Sequence, residues 1–167
     1  MARPEKSEHL AYFSTYIDKV EGDDALAVMR AQIDDTIAAL QALGEARCSL
    51  PAAPGKWTIK QAIGHMIDTE RVFSYRALRF ARNDQTPLAG FEQDDWAPNA
   101  PYDRYTLEEL IAEFHAVRAA TIALFTKLTP EEMLRSGPVS GNTHTVRALA
   151  FMIAGHEVHH RRLLPKA

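Results

Sequence analysis

Apolar side chains recur at spacings of three and four in four separate stretches of this 167-residue chain, and that period constrains its fold more than any other feature. A period near 3.6 gathers side chains on one side of a helix, whereas a half-buried strand needs strict alternation. Leu26, Met29, Ile33, Ile37 and Leu40 form the first stripe, after the acidic start Asp23-Asp24 and before Gly44, a residue type suited to the left-handed position that follows a helix. The second opens at Thr58, with Gln61 three residues on in a capping-box pattern, and runs to Ala81 through Ile59, Ile63, Met66, Phe73, Ala77 and Phe80. A third opens at Thr106 with Glu109 and carries Leu107, Leu110, Phe114, Val117, Thr121, Leu124 and Leu128. The fourth opens at Thr145 and holds Val146, Leu149, Ile153, His156, His160 and Leu163 in one register before Pro165.

No stretch shows a clear period of two bounded by turn residues, so strands are expected to be few or absent. Four amphipathic stripes bury themselves most simply as an antiparallel four-helix bundle, all-α and a single domain over residues 1–167. The connection from Asn83 to Tyr105 is long and rich in turn formers and aromatics. It reads as an ordered crossover between helices two and three that helps shape the mouth of a site, with Trp96 as its anchor and Asp94 or Asp95 as a polar contact. A plain strap over the far end of the bundle is the alternative. Tyr12 to Ile17 reads as a short extra segment.

Charge and composition exclude several classes of function. With 19 Lys and Arg against 22 Asp and Glu, the formal charge of −3 offers no field for nucleic acid. Neither a secretory signal nor an uncharged run of the roughly 18 residues a membrane span needs is visible, so no membrane partner and a cytoplasmic location are expected. Cys48 is the single cysteine. It lies in a connection with no His beside it, which supports no nucleophile.

The histidines carry the chemistry. His156 and His160 take consecutive seam positions, about 40° apart around the helix and about 6 Å along it, so their rings can converge on one metal ion. Burying two imidazoles among Val, Leu and Ile without partners is costly, which favours a shared ligand. The run from His156 to His160 also satisfies H-E-x-x-H, with Glu157 as the base of a zinc protease, but no credible third ligand follows it. The third ligand must then come from upstream. His65, beside the apolar stripe of helix two and after Gly64, which leaves room for a neighbouring helix, is the candidate. His159 falls off the seam and reads as a rim residue. Glu70 lies within a stripe, so it pairs with an Arg or accepts from an imidazole. His9, His115 and His144 read as surface or helix-edge residues, and Arg71, Arg76, Arg79, Arg82, Arg147, Arg161 and Arg162 as solvated faces.

Residues 53–60, 64–71, 88–91 and 146–160 together resemble the DinB-like superfamily of small metal-binding four-helix bundles, which includes bacillithiol- and mycothiol-dependent transferases. That resemblance implies a divalent metal on His65, His156 and His160, with zinc or nickel as the ion, an up-down-down-up topology and frequent dimerisation. The many apolar residues around helix two, Ile59, Ala62, Ile63, Met66, Ile67 and Val72, fit a homodimer as well. The implied activity is a metal-dependent enzyme acting on a small-molecule substrate, such as a low-molecular-weight thiol S-transferase. A metal-dependent hydrolase and a non-catalytic metal- or ligand-binding bundle remain as alternatives.

Overall fold

The computed structural model describes residues 1–165. Its elements in chain order are α1 (Ser14–Ile17), α2 (Ala25–Cys48), α3 (Ile59–Ala81), α4 (Gln93–Trp96), α5 (Leu107–Thr126), α6 (Pro130–Leu134), β1 (Ser136–Val139), β2 (Asn142–Thr145) and α7 (Val146–Leu163). The four long helices α2, α3, α5 and α7 are those of the four stripes, and they form a four-helix bundle. Their starts are chemically marked. Asp24 accepts from the backbone of Leu26 and Ala27, Thr58 and Thr106 close capping boxes with Gln61 and Glu109, and Thr145 accepts from Ala148. Gly44 adopts φ 72° and ends the regular part of α2, with one further turn carrying the chain to Cys48.

Around the bundle α3 packs against α5 and α7, and α2 packs against the same two helices from the opposite corner. The crossover sets the direction of α5. It returns along the bundle so that the Tyr105 carbonyl accepts from Lys60 and the Leu107 amide donates to Glu45, which places the start of α5 beside the start of α3 and the end of α2. Helices α3 and α5 therefore run parallel, and the order is up-down-down-up. Gly64 leaves room for a ring rather than a helix. A Cβ there would lie 2.0 Å from Cδ2 of Tyr102, the buried aromatic by which the crossover is pinned.

Strands are few, as expected, and one expectation about the seam of α5 needs correction. A hairpin does form, with β1 antiparallel to β2 and Ser140 (φ 47°) and Gly141 (φ 79°) as its two-residue turn. Its strands are too short to show a period. The seam of α5 runs Leu107, Leu110, Phe114, Arg118, Thr121 and Phe125, with Val117 and Leu124 only half-buried. Steps of three and four from Phe114 lead to Val117 and Arg118 respectively, and hydrophobicity selects the wrong one. Of the apolar residues around α3 that suggested a dimer, Ile59, Ile63, Met66 and Ile67 are buried within the chain, and Ala62 and Val72 are half-buried.

Candidate metal centre

His65 stands on α3 two turns from its start, and His156 and His160 stand on consecutive turns of the antiparallel α7. Nε2 of His65 and Nε2 of His160 each lie 3.1 Å from Nε2 of His156, and one ring nitrogen of each residue lies within 4.8 Å of the others. The structure thus brings together the three residues singled out in the sequence. Burial pushes His65 down to about 4 and His160 to about 3, and holds His156 well below its ordinary 6.5, with the neighbouring imidazoles adding to the last two. All three rings are neutral near pH 7. The lone pair of one nitrogen cannot accept well from two N–H groups at once, whereas a cation at the common point accepts three lone pairs. This donor set fits a divalent ion. Thr69 Oγ1 lies 3.5 Å from Nδ1 of His65, one turn on, and can fix the tautomer that turns Nε2 inward.

Aromatic edges close the cluster. Trp57 meets the His65 ring at 5.2 Å and Tyr16 meets the His156 ring at 5.2 Å, both edge-on. Tyr16 reaches this position because α1 lies against Gly155, where a Cβ would come 2.1 Å from the Tyr16 carbonyl oxygen. His159 stays out of the converging trio and packs edge-on against Tyr16 at 5.3 Å, half-buried as its off-seam position suggests.

Beneath the cluster lies a buried ion network. Arg118 donates from Nε and Nη2 to the two oxygens of Glu70 at 2.9 and 2.8 Å, and from Nη1 to Glu157 at 2.7 Å and to the Met29 carbonyl at 3.1 Å. Glu157 also accepts from Thr36 at 2.6 Å and from Gln32. Glu70 is therefore the Arg-paired carboxylate expected of a charge within a stripe. Glu157, saturated by partners on α2 and α5, is no free base, and the protease reading has no support. Cys48 is buried, which pushes its thiol up, and it serves as core.

Two cavities flank the histidines. One of about 370 Å³ is walled by His65 and His156, and another of about 490 Å³ by His160, Trp57 and Leu163. Gln93 and Asp94 of the crossover line both, so the crossover does reach the cluster. Asp95 lines neither. Trp96 is no buried anchor: it is 43% exposed and leans on Phe91 at 4.7 Å. Several residues read as solvated are not. His9 is buried with Nδ1 3.0 Å from the Leu10 carbonyl, His144 and Arg76 are buried on the wall of the first cavity, and Arg147 is clamped by Glu8.

Residues 28–164 match the model of the DinB superfamily. The chain belongs to this superfamily. A protein of Oceanobacillus iheyensis, provisionally named a metal-dependent hydrolase, is 26% identical over 124 residues, covering 72% of this chain and 70% of its own. Among solved structures, YfiT from Bacillus subtilis, described as a probable metal-dependent hydrolase with an unusual four-helix bundle topology, superposes with a TM-score of 0.70 at 16% identity, over 96% of this chain and 88% of that one. The mycothiol-dependent maleylpyruvate isomerase superposes with a TM-score of 0.69 at 12% identity, over 86% of this chain and 60% of the isomerase. At such identities the two structures share the fold with this DinB-superfamily chain. No described helix is long and apolar enough to cross a membrane.

Proposed function

We propose that this DinB-superfamily protein is a divalent-metal-dependent enzyme of small molecules, with His65, His156 and His160 as ligands, and that it joins a low-molecular-weight thiol to an electrophile. The observation that carries the reading is the pair of cavities, about 370 and 490 Å³, that meet at one histidine cluster and share the wall formed by Gln93 and Asp94. A hydrolase needs one organic substrate and water, whereas two chambers at one centre suit two organic substrates.

A divalent ion on three neutral imidazoles supplies Lewis acidity, which lowers the pKa of a thiol or water beside it. The chain's own groups do the rest. Thr69 holds the His65 tautomer, and Trp57 and Tyr16 keep water from the ring edges. Asp94, the carboxylate common to both chambers, takes the thiol proton while sulfur bonds to the electrophile and the leaving group departs with its electron pair. Tyr16 does not serve as a base, since burial and Tyr12, whose hydroxyl lies 3.0 Å away, hold its own hydroxyl protonated.

Hydrolysis is the second reading, favoured by the name of the Oceanobacillus relative. Turnover of electrophilic and ester substrates, with bacillithiol, mycothiol or glutathione present and absent, separates the two. Thiol-dependent product supports transfer, and equal turnover without thiol overturns it. Zinc or nickel as the ion, a homodimer, a cytoplasmic location and one domain over residues 1–167 belong to the same proposal. Light scattering at micromolar concentration tests the dimer.

A further inference from the structure

Arg76 is the anomaly of the first cavity. Its side chain is buried, yet among the described residues no carboxylate lies within salt-bridge distance, and its one hydrogen bond runs from Nη2 to the Ala89 carbonyl at 2.9 Å. Arg118, the more deeply buried of the two, has two carboxylates. A buried cation without a counter-charge is costly, so a guanidinium in that state is expected to meet an anion that arrives from outside. Burial alone pulls the Arg76 guanidinium below its ordinary range, and that range is high enough to leave it charged.

A second observation points to the same place. His144, buried on the same cavity wall, has an Nδ1 with no hydrogen-bond partner. Burial and the nearby Arg76 push its imidazole down to about 4, so near neutral pH it offers one N–H and one lone pair without adding charge. We infer that Arg76 and His144 form a carboxylate-binding subsite at the end of the first cavity remote from His65 and His156.

The shape of the ligand follows from the helix. Arg76 is eleven residues from His65, close to three full turns, so the two share a face of α3 with their Cα atoms about 16 Å apart. Thr69 and Phe73 line the wall between them. Phe73 and Phe91 lie 5.7 and 5.8 Å from the guanidinium carbon. Aromatic rings against the guanidinium leave its in-plane N–H groups for a planar partner, and a carboxylate matches that fork. One guanidinium balances one negative charge, and Glu92 and Asp94 on the rim disfavour the second charge of a phosphate. The favoured molecule is elongated, with a carboxylate at Arg76, an apolar middle along Phe73 and its reacting end at the histidines. Only that last clause rests on the proposed function; the subsite stands on Arg76 and His144.

The test is calorimetric titration of the full-length protein with 4-phenylbutyrate and its neutral amide, for the wild type, Arg76→Gln and Arg76→Lys, with metal content measured on the same samples. Gln keeps a donor for the Ala89 carbonyl. The wild type should bind the acid roughly tenfold or more tightly than the amide. Arg76→Gln should lose that preference, and Arg76→Lys, with charge but no fork, should keep part of it. If Arg76→Gln does not fold, Arg76→Lys and acid-dependent thermal stabilisation of the wild type decide the matter. Equal binding of acid and amide, no binding of either at millimolar concentration, or a preference that survives in Arg76→Gln overturns the subsite. His156→Ala separates the two proposals: loss of metal with the acid preference retained leaves the subsite standing by itself, and absence of metal from the wild type defeats the metal centre alone.

Discussion

Replacing Arg118 by Met leaves Glu70 and Glu157 buried in one another's neighbourhood with no cation between them. Arg118 is 1% exposed and its carboxylate partners 4% and 2%, so water cannot take over the lost bonds. Removing one partner of a buried pair costs about 3–5 kcal/mol, and two orphaned carboxylates place this variant at the upper end, about 4–5 kcal/mol. Against a total stability of about 5–15 kcal/mol, that is a large part of the whole. With a urea slope of about 2 kcal/mol per M, the unfolding midpoint should fall by about 2 M. The triple variant Glu70→Gln, Arg118→Met, Glu157→Gln should recover most of the loss, to within about 1–2 kcal/mol. A midpoint shift in Arg118→Met below about 0.5 M, or a triple variant no more stable than Arg118→Met, would refute the reasoning.

Gly64→Ala should cost about 1–3 kcal/mol because its Cβ would sit 2.0 Å from the Tyr102 ring, and much less in a Tyr102→Ala background; urea unfolding of the four proteins measures the coupling. In metal-free protein, His144 loses its proton at about 4 when folded and near 6.5 when unfolded. The unfolded state binds the extra proton between those values, so stability falls as pH drops through that window, and His144→Gln should reduce the slope by about one proton. An unchanged slope in thermal melts across the window would contradict the burial of His144.

The helices and their caps were legible in the sequence because each boundary is local chemistry: Thr58 with Gln61, Thr106 with Glu109, Gly44 at positive φ. The histidine pair was legible because polar residues broke an apolar seam. Arg118 was not, since a charge is placed in a core by carboxylates on other helices, and nothing within four residues of it reports them. Glu70 and Glu157, both at core positions, together called for a cation on a third helix, and that signal was available. Arg76 and His144 were hidden for another reason. Their burial comes from the crossover and the hairpin, elements whose short strands and irregular turns leave no periodic trace. Tyr16 owes its place beside His156 to the absence of a side chain at Gly155, a contact between segments far apart in the chain.

On the proposed function, the imidazoles of His65, His156 and His160 hold one divalent ion. Protein purified without an affinity tag, loaded and desalted, should carry about one ion per chain by elemental analysis, as a three-histidine site binds a single metal. His65→Ala, His156→Ala and His160→Ala should each lose most of it, while His159→Ala, whose ring packs on Tyr16 outside the trio, keeps it. Equal retention in all four variants, or a loss in His159→Ala as large as in His156→Ala, would contradict the account.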